Sequence, residues 1–517
     1  MRQLAVVYQL ARADFLERAR TFQYLATLAV TLWVGSLMVP PLGAKYTAFA
    51  IGVYRGVYNS AWMGIMFAIV MTCFLTLFGF YLVKGAVQRD RDTRVGEIIA
   101  STSVGKFEYV LGKALSNFAI LMSIAAALLV DAVTMQLVRG EDRHIDLIGI
   151  LLPTVVFVVP VFALIAAIAV LFEVLPLLRG GLGNVVYFFL WTAELTNGAL
   201  SAKGGALGSA FDSLGFGAIS LSAQQALSRI DPRIKVDDVE VGTWEDKGLN
   251  THTFLYHGMT IGGNVILQRL FVLAIAFALV AIAALVFDRF AGTHRARAAR
   301  KPGLFSNVSS NVGRTTQPIF DVVLGSSFGG LLLAELRLLL KGANFWWYAV
   351  SVGLWVFTLF ARGPIQSMAL GIAWIWPILL FSQMGTRETL HQTEQLVYPS
   401  LHPLRRQFTA QLCAGIVMTL LLGSGAIIHD LATGGTSGIP AVLVAAVFIP
   451  TLALACGALS GTTRLFEVVY LVLWYMGPMN ATPLDYTKMA AAVPYGVATV
   501  LLAILAFYSR GIRLATA

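Results

Sequence analysis

Residues 147–172 read LIGILLPTVVFVVPVFALIAAIAVLF, an apolar run with no charged residue in it. A helix needs about 20 consecutive apolar residues to cross the hydrocarbon core of a bilayer, and this run exceeds that length. The same pattern recurs outward in both directions. Twelve stretches read as spanning helices, near 22–40, 61–83, 112–138, 147–172, 184–200, 263–287, 345–362, 365–384, 409–428, 438–459, 465–480 and 490–508. The fifth and eleventh are short and interrupted by polar residues. Composition agrees: 57% of the 517 residues are hydrophobic, 12% are charged and the mean hydropathy is +0.76. A water-soluble surface needs roughly a quarter of its residues charged. A soluble multidomain enzyme is therefore excluded, and most of the outer surface must face lipid. The expected fold is an all-α integral membrane protein.

Orientation follows from the basic residues, which are retained on the cytoplasmic side. Both termini in the cytoplasm puts the larger share of the 37 Lys and Arg there, including the clusters Lys84 to Arg94 and Arg289 to Lys301. The net charge of +10 is then a property of cytoplasmic loops and implies no nucleic-acid partner. The partner on all sides is the lipid bilayer, and the expected location is the inner (plasma) membrane, multi-pass. Met1 to Arg20 is basic and amphipathic and lacks the apolar core and cleavage site of a signal peptide, so the first span is expected to insert the chain. Cys73, Cys413 and Cys456 lie in apolar runs without paired spacing, which indicates neither a disulfide framework nor a metal site. Residues 201–262 are long enough for a small external cap, where an accessory protein has room to attach. Residues 289–325, basic and then Ser/Asn-rich, read as a cytoplasmic linker.

That linker falls near the middle of the chain, and the sequence on either side matches in three places. Leu32-Trp33-Val34 corresponds to Leu354-Trp355-Val356. Glu97 begins EIIASTSVGKFEYV and Glu394 begins EQLVYPSLHPLRRQ, with Ser103 matching Ser400. Val185 to Trp191 reads VVYFFLW and Val468 to Trp474 reads VVYLVLW. The matches keep their order, so the chain divides into a first six-span half at 1–288, the linker at 289–325 and a second half at 326–517. Six is even, so both halves insert the same way up, as a parallel 6+6 repeat.

The loop from Lys84 to Lys113, KGAVQRDRDTRVGEIIASTSVGKFEYVLGK, is too charged to cross lipid. Its spacing predicts a short helix around Val95, Ile98 and Ile99, a small-residue break at Ser101 to Gly105, and a second helix entering the third span. Gly385 to Arg406 has the same plan, broken by Pro399 and Pro403. An acidic residue, a short apolar helix, a Ser-Thr-Ser-Val break and an aromatic residue leading into a span resemble the permeases of type-2 ABC exporters. The amphipathic segments Leu10 to Arg20 and Leu331 to Lys341 resemble that family's elbow helices. The resemblance implies that two ATPase subunits dock on two coupling segments. The first would use Glu97, Ser101, Ser103, Gly105, Phe107 and Tyr109; the second, Glu394, Ser400, His402, Arg405 and Arg406. His402-Pro403 stands where the first has Gly105-Lys106, so the two contacts are expected to be unequal.

The sequence carries no phosphate-binding G-x-x-x-x-G-K-[ST] loop. The chain is thus expected to bind no cofactor and to have no catalytic or metal residues, with ATP and Mg held by the partner ATPase. Charges inside a membrane are costly and point to function. Tyr187, Trp191 and Glu194 share a helix face, and with Asn197, Glu467, Trp474 and Asn480 they form the expected substrate pathway for an amphipathic drug, peptide or lipid-like cargo. Glu194 either attracts a cationic or hydrogen-bonding group of the cargo or pairs with Arg269, and the aromatics serve equally as an interfacial belt. Two other functions fit the composition: a gradient-driven secondary transporter with Glu194 and Glu467 as proton sites, and a membrane scaffold or lipid-modifying protein.

Overall fold

A computed structural model describes residues 2–41, 46–52, 54–202, 212–230, 239–244, 252–290, 327–341, 343, 345–361, 364–390, 403–434, 438–479 and 484–516. The linker beyond Phe290 and much of the 201–262 insertion lie outside them. Two compact units divide at Arg297 and Ala298.

The first unit opens with α1 (Arg2–Ala19) and α2 (Phe22–Leu37). After β1 (Tyr46–Ile51) and β2 (Tyr54–Gly56) comes a long helical run made of α3 (Ser60–Val70), a π-helical turn at Met71–Leu75 and α4 (Thr76–Val83). Two short helices, α5 (Ala86–Asp92) and α6 (Val95–Ser101), lead to α7 (Lys106–Arg139). Then follow α8 (Leu147–Pro153), a second π turn at Thr154–Val158, α9 (Val159–Val174), α10 (Gly181–Ala202) and α11 (Phe216–Ile230). The unit closes with β3 (Val239–Trp244), β4 (His252–Phe254) and α12 (Gly263–Val286). Its core lies among α7, α9 and α12, where Val110, Val170, Val272 and Ala283 are fully buried.

The second unit contains α13 (Ser327–Leu340), α14 (Phe345–Phe360), α15 (Pro364–Ile375), α16 (Ile378–Phe381) and α17 (Arg387–Leu390). It ends with α18 (Pro403–Thr433), α19 (Ile439–Ser460), α20 (Arg464–Trp474), a π turn at Tyr475–Met479 and α21 (Met489–Thr516). Helix α19 is its central post: Ala445, Ala446, Ile449 and Ala453 are fully buried, and the small alanine side chains let α18 and α21 pack close.

Among the described residues, seven helical stretches are long and apolar enough to cross a membrane: Ser60–Asp92, Lys106–Arg139, Leu147–Val174, Gly263–Val286, Arg406–Thr433, Ile439–Ser460 and Met489–Gly511. The protein is thus a helical one with the makings of a membrane protein. The other five of the twelve expected spans also fall on helix, but that helix is too short or too polar to meet the same measure. Proline is one reason. Pro377 follows the end of α15, and Pro478 sits in the π turn after α20; neither can donate an N–H to continue an α-helix.

No strand is expected from the sequence, yet a four-stranded sheet in the order β3-β1-β2-β4 joins the insertion to the loop before α3. β1 pairs antiparallel with β2 and β3, and β2 runs parallel to β4. The sheet is therefore built from two segments. Trp62, at the start of α3, is fully buried against Phe49, Phe254 and Tyr256, with ring centroids at 5.1, 5.4 and 5.8 Å, and so fastens the sheet to the helices.

Candidate functional site

The hairpin formed by α5, α6 and the start of α7 begins where α4 stops. Lys84 turns extended and Gly85 takes a left-handed φ of 114°, a conformation open to glycine at no steric cost. The first backbone N–H groups of a helix have no partners within it. Here four in succession, from Gly85, Ala86, Val87 and Gln88, donate to the carboxylate of Glu173 on α9 at 2.6–3.1 Å. The Lys84 ammonium donates to Asn184 Oδ1 at 2.6 Å and to the carbonyls of Leu178 and Gly180 at 3.2 Å. The corner is thereby locked to α9 and α10.

Beneath the hairpin lies a buried ionic cluster. Asp14 of α1 accepts from Arg18 at 2.6 Å, Arg89 at 2.7 Å, Lys113 at 2.8 Å and Ser116 at 2.6 Å. Lys113 also meets Asp90 at 2.8 Å, and the Tyr109 hydroxyl donates to Asp90 at 2.6 Å. Arg18 reaches Asn117 Oδ1 at 2.8 Å. Burial alone would raise the Asp14 carboxyl, but Arg18 and Lys113 beside it prevail and bring it down to about 2. Three elements, α1, α5 and α7, thus share one charge cluster.

Helix α6 follows α5 and shows its outer face to solvent. Ile98 is 66% and Val95 41% exposed, and Glu97, Ser101, Thr102 and Ser103 are exposed beside them. Its inner face is Gly96, where a Cβ would stand 2.6 Å from the Phe290 ring. Phe290 packs edge-on to Tyr109 at 5.5 Å, and Tyr109 stacks on Phe287 at 5.0 Å. The break after α6 is pinned by Arg289, which donates to the Thr102 carbonyl at 2.6 Å. Glu108 accepts from the Gly105 N–H at 2.9 Å, capping α7. Among the residues expected to contact a partner, Glu97, Ser101, Ser103 and Phe107 are exposed, Gly105 is the helix cap, and Tyr109 faces inward as an anchor.

In the second unit, Arg387 meets Glu335 of α13 at 3.3 Å. Glu388 accepts from Gln407 at 2.9 Å, Gln411 at 3.1 Å and Arg510 at 2.9 Å. Burial raises the Glu335 carboxyl, with Arg387 opposing it. Glu394, Ser400 and His402 lie outside the described residues, as does Asn480. Arg405 is in the first turn of α18, and Arg406 beside it is exposed.

The expected pathway residues are mostly packed. The Tyr187 hydroxyl donates to the Thr76 carbonyl at 2.9 Å, and its ring stacks on Phe80 at 3.6 Å. Trp191 Nε1 donates to the Cys73 carbonyl at 2.8 Å, inside the π turn. In the second unit, Trp474 Nε1 donates to the Gly371 carbonyl at 2.9 Å and the Tyr470 hydroxyl to that of Trp374 at 3.1 Å. These aromatics clamp helix to helix. Glu467 is buried and Asn197 half-buried. Glu194 accepts from Ser213 Oγ, while Arg269 donates to the carbonyls of Asp212 and Ser213 and lies 5.2 Å from the centroid of the Phe157 ring. Glu194 and Arg269 therefore grip the same turn without pairing directly.

No known protein family matches the chain, nor does any curated protein or solved structure.

Proposed function

We propose that this chain is the membrane-spanning permease of an ATP-driven exporter of the type-2 ABC kind, moving an amphipathic cargo outward with ATPase subunits supplied in trans. The observation that carries the reading is α6: a short helix outside the long apolar stretches, apolar and acidic on its exposed face, seated through Gly96 on Phe290 and following an α5 that is tied into a buried ionic cluster. A side-by-side row of Val95, Glu97, Ile98 and Ser101 suits docking into a groove on a soluble partner. The cluster suits transmission of force, because α1, α5 and α7 are held by charges that are costly to separate once buried.

Matched bonds in the two units support a tandem 6+6 design with elbow helices. Trp191 and Tyr187 bind the carbonyls of Cys73 and Thr76; Trp474 and Tyr470 bind those of Gly371 and Trp374. The donors are four residues apart in both pairs and the acceptors three apart in both. Arg89 reaches Asp14 of α1, and Arg387 reaches Glu335 of α13. Both termini lie in the cytoplasm in this reading.

The test is purification of the tagged full-length chain from its host in mild detergent, with mass spectrometry of what accompanies it. A soluble protein with a phosphate-binding Lys-Ser/Thr loop should appear at about two copies per chain, and Glu97→Arg with Ile98→Asp should release it. A chain recovered alone under several detergents would overturn the proposal and leave the gradient-driven transporter.

A further inference from the structure

Helix α1 packs on α7 where Leu10 and Val7 meet Gly112, and their side chains diverge along one edge of that contact. Between them runs an open groove of about 600 Å³, walled by Val7, Ala11 and Phe15 on one side and Leu111, Leu115 and Phe118 on the other. That volume falls in the ~300–1,000 Å³ range of sites that take a small molecule. The lining is almost wholly apolar, and Leu4 beyond it is 73% exposed. Such a surface is unfavourable in water and suited to hydrocarbon.

Its depth is marked by the side chains. At the level of Lys113 and Asp14, α7 is still charged, Ser116 and Asn117 follow as its last polar partners to α1, and from Phe118 to Met122 it is apolar. The groove therefore sits at the boundary between headgroups and acyl chains, in the leaflet that receives the start of α7. One cation stands on its rim. Arg12 is exposed and has no ion-pair partner among the described residues. The carboxylates of its own helix are already engaged, Asp14 by Arg18, Arg89 and Lys113, and Glu17 by Arg89. An apolar slot with an unmatched guanidinium at its mouth is complementary to an acyl chain joined to a phosphate.

We infer that the α1–α7 groove is a binding site for an anionic phospholipid, with one acyl chain in the slot and the phosphate on Arg12. The assignment needs only that α7 crosses the bilayer and does not rest on the exporter reading.

The full-length protein, stripped of lipid in detergent, is titrated with palmitoyl-oleoyl phosphatidylglycerol or with the corresponding phosphatidylcholine, and bound lipids are counted by native mass spectrometry. The first phosphatidylglycerol should bind roughly fivefold more tightly than phosphatidylcholine, the scale of one Arg at a membrane surface. Arg12→Gln, at an exposed position, should remove that preference. Ala11→Phe, which puts a ring into the slot, should weaken the first binding event for both lipids. Ala119→Phe does the same from the other wall should the first variant fail to fold. Inorganic phosphate should not displace the lipid. Equal affinity for the two lipids, a preference that survives Arg12→Gln, a first event indifferent to the filled slot, or displacement by phosphate alone would each overturn the assignment.

Discussion

Replacing Asp14 with Asn tests the ionic cluster at its centre. The carboxylate takes four donors, three of them cationic, at 2.6–2.8 Å, and its side chain is only 5% exposed. The fall from the ordinary 3.8 to about 2 means that the cluster favours the charged form by about 2 kcal/mol. Asn keeps the shape but leaves Arg18 buried without its counter-charge, while Lys113 retains Asp90; stranding a buried charge is a change of the kind that costs about 3–5 kcal/mol. The assay is thermal unfolding of the detergent-solubilised chain, followed by the monomeric peak in size-exclusion chromatography. D14N should melt well below the native protein, whereas Glu17→Gln, whose side chain is 59% exposed and meets Arg89 at 3.2 Å, should change stability by under about 1 kcal/mol. pH adds a second reading. The folded pKa lies below the unfolded one, so this stabilisation is complete above about pH 4 and is lost as pH falls toward 2. D14N should flatten that acid limb. Equal melting of D14N, E17Q and the native chain, with the limb unchanged, would refute the view that the cluster holds α1 to α5 and α7.

Gly96→Ala forces a methyl against the Phe290 ring; it should speed hydrogen exchange across Val95–Ser101 and lower recovery of the ATPase partner, while the long helices keep their protection. Trp191→Phe and Trp474→Phe each remove one buried indole hydrogen bond and should each cost about 1–2 kcal/mol in thermal unfolding. Glu173→Gln replaces a carboxylate that accepts four backbone N–H groups with an amide whose nitrogen accepts none; protease cleavage between Lys84 and Thr102 should rise severalfold.

The long helices were legible because lipid selects unbroken apolar runs, and seven stretches retain that signature in three dimensions. The surface hairpin was legible too, since Arg, Asp and Glu at that density cannot enter a bilayer and Ser-Thr-Ser interrupts a helix. What joins the pieces was not. Asp14, Arg89 and Lys113 come from three separate segments, and nothing local in the sequence marks them as neighbours. Trp191 shows the opposite limit. Its type and spacing suit a cargo pathway or an interfacial belt, but only the π turn at Met71–Leu75, which presents the Cys73 carbonyl, makes it a clamp. The sheet was hidden because its strands are short and lie far apart in the chain.

The spacing of that cluster along the chain also bears on how the protein is made. Asp14 and Lys113 are 99 residues apart, as are Arg18 and Asn117. At a ribosomal rate of about 5–20 residues per second, roughly 5–20 s separates the emergence of each pair. Through most of that interval Asp14 has only Arg18 of its own helix, until Arg89, 75 residues on, emerges ahead of Lys113. Its final seat exists only after α7 has been synthesised, so α1 leaves the ribosome well before the rest of its seat and is among the last helices in its unit to settle.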